Sequence, residues 1–162
     1  SSDVCSSDLK ILGSMTKFSL GISGVKQDTA VAIENHIKYT SSPFYPLKDM
    51  RALIAYTPEE QKNKDAALYN RLTDSKNHYY SYLYTALFLK QVQAHWENRG
   101  FAAQATPGVL ITIFNTGFGN SKPNASPIVG GAPLTVGGKT YLFGELGQEI
   151  YTSETLTSYF PK

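Results

Sequence analysis

The chain has 162 residues, 41% of them hydrophobic and 17% charged, with a net charge of +2. A chain this long can bury roughly 70% of the surface its unfolded form exposes, and its 12% aromatic content excludes disorder driven by self-repulsion. It contains neither a Lys/Arg run suited to phosphate backbones nor a stretch approaching the ~20 apolar residues of a membrane span, so no nucleic-acid partner and no membrane span are expected.

Residues 1–9, SSDVCSSDL, lack the basic and apolar regions of a signal peptide. They resemble the translation of a sequencing adapter, which implies a foreign leader on a frame cut short, and by composition they read equally well as a polar disordered leader. The expected domain is then a single one over 10–162. The only cysteine, Cys5, lies in that leader, which leaves the domain no disulfide and no thiolate nucleophile.

Phe18 to Thr29, FSLGISGVKQDT, reads as a glycine turn, after which Asp28 or Thr29 can cap a helix to about Tyr39 with Ala30, Ile33 and Ile37 as its apolar stripe. SSPFYP breaks that helix, and a short one is expected over 47–56. Thr57-Pro58-Glu59-Glu60 combines a capping box with proline at the first helical position, predicting a helix to about Leu72 that is interrupted at Asp74-Ser75 and resumes through Trp96. Apolar and tyrosine side chains from Tyr79 to Leu89 cover nearly the whole circumference, which predicts a central core helix.

Thr106-Pro107 repeats the cap-plus-proline signature and opens a helix with Val109, Leu110, Ile113 and Phe114 inward and Gly117 as its stop. A Gly/Pro-rich β excursion follows over 118–143, in which Gly137-Gly138 predicts a hairpin of Pro133 to Val136 with Lys139 to Phe143. Helices are expected again over 145–151 and 153–160. The fold class expected is mainly α (α+β), with one small β-hairpin near 133–143.

His36, His78 and His95 lack zinc-ligand spacing, so no metal site is expected, and the glycine pairs lack a P-loop lysine, so neither is a nucleotide cofactor. Gly21-Ile22-Ser23-Gly24 is one residue too short for a nucleophile elbow. Carboxylates remain: Glu34 within the first clear helix, and Glu145 and Glu149 one turn apart. Each reads either as a solvated or capping group or as a glycosidase-type acid. The tyrosines likewise read as core packing or as sugar-stacking rings.

Two segments together resemble lysozyme-like lytic transglycosylases. SLGISGVKQDTA, Ser19 to Ala30, is similar to the family's Ser/Gly turn leading into a helix, and PGVLITIFNTGFG, Pro107 to Gly119, to its later Tyr-Asn-x-Gly motif. They occur in the family's order, with a helical plan between them spanning about residues 10–120. The resemblance implies a lysozyme-like helical domain directed at the peptidoglycan glycan strand, in the periplasm or cell envelope, without cofactor. It places Ser19, Gly21, Ser23, Gly24, Phe114, Asn115 and Gly117 along the substrate.

Carried over position by position, Gly24 falls where the family has glutamine, and Phe114 where it has tyrosine. The family's catalytic glutamate would lie in or just before SSDVCSSDL, which has no Glu, so its position here is unknown. Without that proton donor a general-acid contribution of about 10²–10⁴ in rate is lost. The chain is then expected to bind glycan and cut it poorly or not at all. The alternative expectation is a non-catalytic cell-wall-binding or structural interaction module.

Overall fold

The computed structural model describes residues 19–153 and Thr157. Five α-helices and two two-stranded antiparallel sheets make up these described residues, the mainly helical class expected, with its small hairpin. They divide into two compact units, one up to Phe88 and one from Leu89. Each unit is taken by itself below.

In the first unit, β1 (Ser19–Leu20) pairs with β2 (Val25–Lys26), and β2 runs straight into α1 (Gln27–Lys38). Because the strand feeds the helix directly, Lys26 rather than Asp28 or Thr29 takes the cap position. Asp28 stays in the first turn, where its carboxylate accepts from the Thr29 N–H and faces the positive end of the helix. Ala30, Ile33 and Ile37 are buried along one stripe, as the 3–4 residue spacing requires.

The short helix expected over 47–56 shrinks to a 3₁₀ turn, Arg51–Ile54. At Thr57 the capping box forms: the Thr57 N–H donates to Glu60 and the Glu60 N–H to the Thr57 hydroxyl. It starts a 3₁₀ turn, Glu60–Asn63, instead of a continuous helix. Asn63 breaks the run with an extended φ of −147° and caps α2 (Lys64–Thr73) through the Ala66 N–H. Asp74 then accepts from the N–H groups of Lys76 and Asn77, a local alternative to helix that produces the interruption expected there.

Helix α3 (Tyr79–Asn98) runs from the first unit into the second. It is not apolar all round: Tyr79 and Tyr82 are 52% and 57% exposed, while Ser81, Tyr84, Phe88, Gln91, Val92 and Trp96 are buried. Tyrosine rings carry a polar tip that tolerates water, so their number overstates the buried face.

In the second unit, α4 (Pro107–Thr116) begins with the Thr106 hydroxyl accepting from the Val109 N–H and ends at Gly117. β3 (Pro133–Val136) and β4 (Lys139–Leu142) pair through the turn at Gly137 and Gly138, both with positive φ, as a two-residue hairpin of this hand demands. Phe143, expected in the strand, instead begins α5 (Phe143–Thr152), whose first turn is fixed by Glu145 accepting from the Leu142 N–H. A Cβ on Gly144 would lie 2.0 Å from the Thr112 hydroxyl and 2.8 Å from the Gly108 carbonyl, so α4 and α5 meet nearly backbone to backbone. The Gln148 side chain fills the remaining gap by accepting from the Gly108 N–H, one of the orphan donors at the start of α4. The helix expected over 153–160 falls almost entirely outside the described residues.

Candidate functional site

Glu34 lies in the middle of α1, one residue after the fully buried Ile33, and is itself half-buried. Two phenols converge on one of its oxygens: the Tyr56 hydroxyl donates to Oε1 at 2.6 Å and the Tyr84 hydroxyl at 2.5 Å. Among the described residues Oε2 has no hydrogen-bond partner, so one oxygen is held and the other is open. Burial and then the neighbouring Glu34 carboxylate push both phenols well above the ordinary tyrosine range, so each stays a donor at neutral pH.

Tyr56 is held in turn by Arg71. The guanidinium lies 4.1 Å from the Tyr56 ring centre and 4.3 Å from that of Tyr80, a cation–π arrangement with both rings. Its donors are spent on Glu60, by a two-point pair at 2.8 Å, and on the carbonyls of Ile54 and Ala55. The Arg71 fork and the Thr57 N–H together hold the Glu60 carboxyl down to about 2. Arg71 therefore positions the loop that carries Tyr56, with four of its five N–H groups engaged.

The residues singled out by resemblance fall in two sets. Ser19, Gly21, Ser23 and Gly24 form the β1–β2 turn in the first unit, while Phe114, Asn115 and Gly117 close α4 in the second. The Ser23 hydroxyl donates to the Ser81 carbonyl at 2.9 Å and lies 2.6 Å from the Ser81 hydroxyl, docking the turn on α3. Gly21, at φ +62°, sits where a Cβ would lie 2.0 Å from the Leu72 carbonyl oxygen. Asn115 Oδ1 accepts from the Ala132 N–H, fixing the irregular segment before the hairpin. Both polar side chains thus serve the fold with the atoms named.

Glu145 is spent on the start of α5, and Glu149 is exposed on that helix. Among the described residues, no three His, Cys, Asp or Glu side chains group as metal ligands, and no helix is long and apolar enough to cross a membrane. The Tyr56 and Tyr84 partners of Glu34 were not legible, because they lie 22 and 50 residues away in sequence. No family model, no curated protein and no solved structure matches this chain.

Proposed function

We propose that this chain is a glycan-binding domain of the lytic-transglycosylase type, directed at the peptidoglycan strand, with Glu34 as a carboxylate that engages the sugar. One observation carries the reading: two phenols hold Glu34 Oε1 and leave Oε2 open on a half-buried carboxylate. Such an oxygen accepts a sugar hydroxyl in a fixed direction at little ordering cost. The motif resemblance at 19–30 and 107–119 supplies the polymer and the cell envelope as its setting.

Cleavage is expected to be weak. Tyr56 and Tyr84 donate to Glu34 and keep their own protons, and the resemblance puts its catalytic glutamate where this sequence has none. The test is a titration of the isotope-labelled chain with chitotetraose and with purified murein strands, following backbone amides, alongside chromatography for 1,6-anhydro products. Shifts centred on Glu34, Tyr56 and Tyr84, weakened about tenfold in Glu34→Gln as expected for one charged hydrogen bond, support the reading. Unmoved amides at these three positions overturn it. A structural interaction module is favoured by the internal use of Ser23 and Asn115 and predicts no sugar response at all.

A further inference from the structure

A hollow of about 440 Å³ opens in the first unit, between the 3₁₀ turn at Glu60–Asn63, helix α2 and the start of α3. Its volume lies in the range of small-molecule sites. Tyr80 gives it an aromatic wall, and Asn63, Asn70, Asp74, Asn77 and Glu59 give it polar ones.

The hydrogen bonds separate what is spent from what is open. Arg71 and Glu60 also line the hollow, but they satisfy each other. Asn63 and Asn77 each use Oδ1 on a backbone N–H, which leaves their NH₂ groups as donors. Asp74 uses Oδ1 alone and Glu59 uses Oε2 alone on Lys62, which leaves one acceptor oxygen each. Asn70 stands exposed on α2 with both ends of its amide open among the described residues.

We infer that this hollow is a binding site for an uncharged pyranose, set apart from Glu34. Open amide donors interleaved with carboxylate acceptors match vicinal hydroxyls, each of which gives and takes a hydrogen bond. An anion is rejected, because Glu59, Glu60 and Asp74 line the hollow and the single guanidinium there is already paired. The inference goes beyond the Glu34 reading and does not need it.

The test titrates the labelled full chain with chitotetraose and with tetragalacturonate, reading the side-chain amide signals of Asn63, Asn70 and Asn77. Chitotetraose is expected to shift all three, and tetragalacturonate to bind at least about tenfold more weakly through like-charge exclusion. Asn70→Trp fills the hollow from an exposed helix position and is expected to abolish those shifts. Asp74→Asn, which keeps the side chain's shape, is expected to weaken binding several-fold. Shifts at the three asparagines with silent Glu34 amides would sink only the Glu34 reading. Unshifted asparagine amides, equal response to the anionic sugar, or full binding by Asn70→Trp overturns the inference.

Discussion

Tyr84 and Glu34 stand 50 residues apart in the chain and meet at 2.5 Å, hydroxyl to carboxylate. The contact ties the middle of α1 to the first third of α3 and fixes which carboxylate oxygen is occupied. Tyr84→Phe keeps the buried ring and removes the donor, so it is expected to cost about 1–2 kcal/mol. A lowered urea midpoint at unchanged slope would register it.

The raised phenols also set an alkaline limit. Tyr56 and Tyr84 keep their protons in the fold above the ordinary value of 10.0, whereas the unfolded chain releases them there. Their stabilisation is therefore complete below pH 10 and declines as pH rises past it. In tyrosinate absorbance at 295 nm these two phenols should appear only on alkaline unfolding. A Tyr56→Phe, Tyr84→Phe double variant should lose that delayed step.

At the acid end, Glu60 is the sensor. Its folded value of about 2 lies below the ordinary 4.5, so the stability it supplies is present above pH 4.5 and is lost as pH falls through 2. Urea midpoints of the parent and Glu60→Gln are expected to differ most at pH 5–7 and to converge near pH 2. A gap that stays constant over this range would mean that the Arg71–Glu60 pair does not govern the acid limb.

Gly21 and Gly24 both have positive φ, but only Gly21 abuts backbone, with its missing Cβ 2.0 Å from the Leu72 carbonyl. At Gly24 the nearest atom would be 3.6 Å away, so Gly24→Ala pays the conformational cost alone, about 1–2 kcal/mol. Gly21→Ala must also push β1 off α2 and is expected to destabilise far more. Thermal melts of the two variants side by side give the ordering, and equal losses would contradict the close contact.

In the second unit, the Ser121 hydroxyl accepts from the Trp96 indole at 3.0 Å and lies 3.1 Å from His95 Nδ1. Ser121→Ala strands a buried indole N–H and is expected to cost about 1–3 kcal/mol. Burial, and then the nearby Arg99, pull the His95 value below 6.5, so its contribution is present above pH 6.5 and drains away as pH falls further. Emission from the single tryptophan, Trp96, reads both effects, and His95→Gln should flatten the decline below pH 6.5.

What the sequence disclosed follows from the range of the forces involved. Thr106-Pro107 with Gly117 marked α4, and Gly137-Gly138 marked the hairpin, because caps and turns are settled within a few residues. The capping box at Thr57 was legible too, yet not its outcome: Glu60 also answers to Arg71, eleven positions on, and the run is 3₁₀ before Asn63 restarts it. Glu34 was visible as a mid-helix acid without a motif. Only folding brings Tyr56 and Tyr84 to it, and the cleft amides owe their openness to which Oδ1 atoms the backbone had already claimed.

The bare-backbone meeting of α4 and α5 at Gly144 bears on how the second unit gives way. Unfolding under hydrostatic compression is driven by the void space it eliminates, and two helices packed this close at Gly108 and Gly144, with Thr112 and Gln148 against the glycines, enclose little. In high-pressure spectroscopy the amides of Gly108, Thr112 and Gly144 should be among the last in that unit to lose their native signals. The irregular stretch over 122–127 should yield before them.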